Sequence, residues 1–369
     1  MIFAKLLHIN NGRKYSWRRR DKILLLEQLE MFISAGLSAS RGLEIIENGQ
    51  SGKRDRGKRG GGKLASLENV RKEVESGGLL SRALLDHVGL SKSLVSIIEH
   101  GERVGGLALS LKSAHDLLVR EDELTKKCLS AMMYPIVIGT FAIILTMGLM
   151  RGVVPQIVPM LSGMHVELPV LTKITIWLSG AAVSFGLHAL LAALSLCIAA
   201  IFAYKKLFIF KRFIHNTIHH APLIGDAVYS YALSIFLRSL GTLISSGMPI
   251  AVAYSESVET VSFEPLKMDI SHGTKQVSGG SPLQDIFVNK NIPAHVPMLI
   301  SAGETSGSLG ESLIRAASII DSDLENTLKR LTSLIEPILM IGVGGVVGAI
   351  ALSIMMPIYE ISRILQHAH

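Results

Sequence analysis

The chain has 369 residues, a formal net charge of +7 and only 18% charged side chains. Its mean hydropathy of +0.41 excludes the two or three soluble domains that such a length would otherwise allow, and predicts membrane spans. Its two cysteines, Cys128 and Cys197, exclude a disulfide framework or a cysteine-based zinc site.

The N-terminus, Met1 to His8, has neither a continuous apolar region nor a small-residue cleavage site, so no cleavable signal peptide is expected. Residues 1–127 carry 23 Lys/Arg against 16 Asp/Glu, an excess of 7. A basic segment of this kind suits anionic lipid headgroups or an acidic partner; no nucleic-acid motif accompanies the charge. Leu25, Leu29, Phe32, Ile33 and Leu37 recur at helical spacing and predict the core stripe of a helix bundle. The tract 48–63, rich in Gly, Lys and Arg, lacks apolar side chains and predicts a mobile loop. Within it Gly57-x-x-x-x-Gly62-Lys63 approaches a phosphate-binding loop. Leu64 stands where Ser or Thr would be needed, and no strand precedes it, so nucleotide hydrolysis is not expected.

Three stretches hold no Asp, Glu, Lys or Arg: 128–150, 174–204 and 337–359. Each exceeds the roughly 20 residues needed to cross a bilayer as helix. Lys126-Lys127, Lys205-Lys206, Lys211-Arg212 and Lys329-Arg330 flank them on one side, whereas 151–173 holds only Arg151 and Lys173. The positive-inside rule then places 1–127 and 205–336 in the cytoplasm, with 151–173 and the tail 360–369 outside. His188, inside the second span, reads as a neutral side chain hydrogen-bonded to a neighbouring helix, because the spans supply no ionisable partner. His215, His219 and His220 have metal-ligand spacing without nearby cysteines and with few acids, and read as a polar face. In 205–336, Leu233, Phe236, Leu237, Leu240 and Ile244 form a second apolar stripe.

The two halves repeat. Gly101-Glu102-Arg103-Val104-Gly105-Gly106-Leu107 and Gly303-Glu304-Thr305-Ser306-Gly307-Ser308-Leu309 both fit Gly-Glu-x-x-Gly-x-Leu, at a shift of 304 − 102 = 202. The same shift pairs Leu111 with Leu313, Ala114 with Ala316, Leu118 with Ile320, and Tyr134-Pro135 with Glu336-Pro337. Ile33-Ser34-Ala35-Gly36-Leu37 pairs with Ile244-Ser245-Ser246-Gly247-Met248 at 244 − 33 = 211, leaving nine extra residues for the first loop. The predicted fold is therefore all-α: a polytopic membrane protein with two homologous cytoplasmic helical-bundle modules and three transmembrane helices. Each Gly-Glu turn reads as a tight interhelical turn or partner contact, the glycine admitting φ > 0 and the glutamate accepting N–H groups at the next helix start. Tyr134, Pro135, Glu336 and Pro337 mark membrane entry, where a missing backbone bond permits a bend. Gly344 and Gly348, flanked by Gly342 and Gly345, predict a close helix-packing face. No catalytic residue, cofactor or metal site is expected.

At these residues the chain resembles the type II secretion system F / type IV pilus PilC family of inner-membrane platform proteins. The clearest stretches are Ala221-Pro222-Leu223-Ile224-Gly225, then Arg238 to Ile250, Leu334-Ile335-Glu336-Pro337, and Met356-Pro357-Ile358-Tyr359-Glu360. Gly89-Leu90-Ser91-Lys92 departs from the Phe-Pro usual before the first turn. The resemblance implies a bacterial inner-membrane protein with a cytoplasmic N-terminus and a periplasmic C-terminus. It would bind a cytoplasmic assembly ATPase, pilins or pseudopilins and other inner-membrane assembly proteins; homo-oligomerisation is expected through the Gly344 and Gly348 face. The rival reading is a permease subunit of a small-molecule transporter, which would place polar groups at mid-membrane; these spans nearly lack them.

Overall fold

The computed structural model describes residues 17–51, 60–152, 155–156, 221, 223–288 and 291–367. The predicted second span, 174–204, and the histidines at 188, 215, 219 and 220 lie outside them. Among the described residues the chain is helical, with no strand, as the sequence predicts. The helices fall into two compact units, residues 1–128 with 212–327 and residues 129–211 with 328–369.

In the first unit the first module contributes α1 (Arg19–Ser34), α2 (Ala39–Ser51), α3 (Gly60–Glu75), a one-turn α4 (Leu80–Ala83) widening into a π turn (Leu84–Val88), α5 (Lys92–Val104) and the start of α6 (Leu107–Gly152). The second module contributes α7 (Ile224–Ser245), α8 (Ile250–Thr260), α9 (Glu264–Ser271), α10 (Gly273–Ser278), α11 (Leu283–Ile286), α12 (His295–Ser306) and the start of α13 (Leu309–His367). The two halves thus present corresponding helices in the same order, the first module's α3 being matched by α9 and α10.

The apolar stripes converge on one core that joins both modules. Leu25, Leu29, Ile98, Leu111 and Ala114 are buried in the same cluster as Leu233, Phe236, Leu240, Ile300, Leu313 and Ala316. The first module's interior is mainly aliphatic, with Trp17 buried at its edge, whereas in the second Phe236 meets Tyr254 edge-on at 5.7 Å and lies 6.1 Å from Phe287. Leu37 departs from its predicted stripe and is exposed. Helix α1 has ended by then and Gly36 at φ 84° turns the chain, so residue 37 lies beyond the stripe, and among the described residues no helix of the other module docks on this turn as α5 docks on α7 and α8.

Of the predicted loop 48–63, residues 48–51 and 60–63 are helical, and 52–59 lie outside the described residues. Helix α2 runs on through residues 48–51, and α3 begins at Gly60. Once a helix is nucleated, each added residue gains a hydrogen bond, which offsets poor local propensity. The start of α3 is also tied down by a 2.6 Å ion pair from Lys63 to Asp21 of α1.

Among the described residues three helices are long and apolar enough to cross a membrane: Leu107–Gly152, Ile224–Ser245 and Leu309–Leu352. The second of these, α7, has most of its side chains buried inside the first unit, so its apolar character is that of a core helix. In the second unit, α6 and α13 run side by side in the same direction. Met150 and Ile350 bury each other there, with Leu149 and Val346 alongside. Elsewhere their apolar side chains point outward, including Ile136, Phe141, Ile144, Ile338 and Ile341. Such contiguous exposed hydrocarbon fits a lipid environment and no aqueous one. Helix α13 continues through the predicted tail to His367.

Candidate functional site

The repeated Gly-Glu turns form one construction built twice. In the first module α5 ends at Gly105, whose φ of 78° only glycine adopts without strain. Gly106 N–H reaches back to Gly101 C=O at 2.8 Å, closing the helix end in a Schellman arrangement. In the second, Gly307 at φ 71° ends α12, and Ser308 N–H reaches Gly303 C=O at 2.9 Å. The first glycine of each motif serves another purpose. A Cβ on Gly101 would stand 1.6 Å from Ser110 Oγ, and one on Gly303 2.6 Å from Ser312 Oγ. Each is where the next helix folds back closely enough for its serine to touch backbone.

The glutamates act backward along the chain, which corrects the sequence expectation that they would serve the helix that follows. Glu102 Oε1 accepts Leu80 N–H at 2.7 Å, and its Oε2 accepts Ser81 N–H at 3.2 Å and Ser81 Oγ–H at 2.9 Å. Glu304 Oε1 accepts Leu283 N–H at 2.6 Å. Side chains on a helix tilt toward its N-terminus, so a glutamate in the last turn projects back along its own helix. There it meets the first N–H groups of α4 and α11, for which neither Leu79 nor Pro282 supplies a side-chain cap. A carboxylate suits the positive end of these helices.

Replacing Glu102 with alanine removes a charged acceptor from three donors and is expected to cost about 2 kcal/mol, with Glu304→Ala costing roughly half as much. Denaturant melts of the full chain in detergent read the difference. Equal costs, or a larger cost at Glu304, would contradict this assignment.

The membrane-entry residues lie in the second unit, within continuous helix. Pro135 has no N–H, which leaves the carbonyl four residues earlier, Ala131, without its helical partner. Thr332 Oγ of α13 points its hydroxyl at that carbonyl, at 3.5 Å. Tyr134 and Glu336 are exposed, as is Pro337. At Gly342, Gly344, Gly345 and Gly348 an added Cβ would meet nothing within 4 Å, so this glycine face of α13 is open.

Some connections involve residues that the apolar stripes and the Gly-Glu turns do not single out. Thr125 Oγ of α6 shares a 3.0 Å hydrogen bond with Tyr231 OH of α7, and Lys127 pairs with Glu325. Burial pushes the Tyr231 phenol above its usual range, and the Lys127 ammonium is raised by its hydrogen bond to Glu325. Among the described residues no cluster of three His, Cys, Asp or Glu side chains gathers at metal-binding distance.

The family profile described as "Type II secretion system (T2SS), protein F" matches residues 25–155 and again 236–357. The chain is 30% identical over 351 residues to the type IV pilus assembly protein PilC of Thermus thermophilus, covering 93% of this chain and 82% of that one. It is 26% identical over 363 residues to the type 4 fimbrial assembly protein PilC of Pseudomonas putida, covering 96% and 88%. It is also 25% identical over 348 residues to type II secretion system protein F of Pseudomonas aeruginosa, covering 94% and 84%.

Proposed function

The chain belongs to the type II secretion system protein F family, and on that premise we propose that it is the inner-membrane platform of a type IV pilus or type II secretion machine. In this reading it is a non-enzymatic scaffold. Its modules dock a cytoplasmic assembly ATPase, and its membrane helices guide pilins or pseudopilins out of the bilayer into a growing filament. The observation that carries the proposal is the duplicated match itself. Both family segments begin in the first helix of a module, α1 or α7, and extend into or past an apolar helix.

The positive-inside pattern supports a cytoplasmic N-terminus and a periplasmic C-terminus. The basic balance of residues 1–127 supports contact with anionic lipids. The open face at Gly344 and Gly348 supports close packing with another transmembrane helix.

The test is genetic and biochemical together. A strain lacking the chain should lose its filaments or its pseudopilus-dependent secretion and regain them with the wild-type gene. A Gly344→Leu, Gly348→Leu variant should fail to restore them while still co-purifying with the assembly ATPase. Unimpaired filaments and secretion in the deletion strain would overturn the platform reading. Normal rescue by the leucine variant would overturn the glycine packing face alone.

A further inference from the structure

The two modules are homologous, yet they meet through unlike surfaces. Helix α5 of the first module docks on α7 and α8 of the second. Ser96 Oγ–H of α5 donates to Glu256 of α8 at 3.1 Å, and His100 Nε2 lies 3.4 Å from where Gly247 would carry a Cβ. At the α7–α8 turn Met248 is only 9% exposed. A two-fold arrangement would repeat this joint with α12 on α1 and α2. Among the described residues no such docking is made.

The joint is therefore head-to-tail, and among the described residues each module leaves one half of it uncovered. On α12, Met298 occupies the position of Ser96 (96 + 202 = 298) and is 71% exposed; Ala302 occupies that of His100 and is exposed too. On the first module, Ile45 occupies the position of Glu256 (256 − 211 = 45) and Leu37 that of Met248 (248 − 211 = 37), each 37% exposed. The unused halves also match each other chemically. Where the joint inside the chain pairs a hydroxyl with a carboxylate, the free halves offer methionine to isoleucine. Where it lays histidine over Gly247, they offer alanine to Gly36. A heterologous joint whose two halves both remain on the same molecule propagates from copy to copy until it closes in a ring or continues as a filament.

We propose that α12 of one copy docks on α1 and α2 of a second copy, repeating between chains the joint that α5 makes with α7 and α8 within one. The surface is distinct from the glycine face of α13, and the inference holds or falls independently of the platform role.

The test uses the full chain in membranes, with Cys128 and Cys197 replaced by alanine. One tagged copy carries Ile45→Cys and a differently tagged copy carries Met298→Cys. Mild oxidation should give disulfide-linked dimers between the two tags and none within either single-variant population. Met298–Met298 cysteine dimers would instead mean an isologous contact and overturn the head-to-tail joint. A second arm does not depend on cysteine geometry. Met298→Glu should cut the oligomeric fraction seen by native mass spectrometry several-fold, and adding Ile45→Lys should restore most of it. Unchanged oligomers in Met298→Glu, absence of the mixed dimer, or cross-linking of either cysteine only to a different protein would each overturn the proposal.

Discussion

An Asp321→Ala variant is expected to lose about 3–5 kcal/mol, the cost of leaving a buried charge without its partner. Arg238 sits at only 7% exposure inside the first unit. Its Nη2 donates to Asp321 Oδ2 at 2.5 Å and lies 3.5 Å from Ser318 Oγ, while the Ser234 hydroxyl donates to the other carboxylate oxygen. Arg238 Nε is buried without a partner, so the guanidinium already sits in a poorly solvating site before anything is removed. Taking away the carboxylate leaves that charge only the Ser318 hydroxyl at 3.5 Å to face. In a domain of this size each kcal/mol moves Tm by about 2–4 °C, so the shift should be large and easily measured by circular dichroism on the detergent-solubilised chain. The double variant Arg238→Met, Asp321→Leu should recover most of the loss, because desolvating two charges nearly cancels their attraction. The assignment fails if Asp321→Ala melts like the wild type, or if the double variant is as unstable as the single one.

That pair also shows what the sequence could not disclose. Under the repeat, Arg238 corresponds to Glu27 and Asp321 to Val119, so the ion pair belongs to one module and leaves no trace in the duplication. What the sequence did disclose was periodic. Leu25, Leu29, Leu111, Leu233, Phe236 and Leu313 recur at helical spacing, and burial of an amphipathic face follows directly from that spacing. The Gly-Glu turns were visible because glycine at φ > 0 and an acid in a last turn are local requirements. The donors they meet were not. Ser81, Ser110 and Ser312 lie up to 21 residues from their partners, and serine is too common for such a pairing to stand out. Thr332 facing the Ala131 carbonyl was hidden for the same reason, although the proline that frees that carbonyl was plain. The shared core was hidden too. An apolar stripe states that a face is buried, not which helix buries it, and so Met248 and Leu37, equivalent in sequence, differ in exposure.

Valine at Gly241 should be among the most damaging single substitutions in the chain. Helices α7 and α13 cross there backbone to backbone. A Cβ on Gly241 would stand 2.7 Å from Gly310 C=O, 2.9 Å from Ile314 and 3.0 Å from Leu313 Cβ. A Cβ on Gly310 would in turn stand 2.9 Å from Gly241 C=O and 3.0 Å from Ser245 N. The nearest obstacle to either is a main-chain carbonyl or a residue fixed in a buried helix, apart from the Ser245 hydroxyl, which can rotate. The helices themselves must separate, and separation uncovers Leu240, Leu313 and Ala316 at the centre of the core. Overpacking ordinarily costs about 1–3 kcal/mol, and a branched side chain against backbone belongs at or above the top of that range. Alanine supplies the sharper test because two effects oppose each other there. Ala is favoured over Gly in a helix by up to about 1 kcal/mol, so an open glycine such as Gly49, where a Cβ meets nothing within 4 Å, should gain stability on becoming alanine. Gly241→Ala and Gly310→Ala should lose stability despite the same gain in propensity. If all three alanine variants shift Tm in the same direction, helix propensity rather than the crossing governs these glycines.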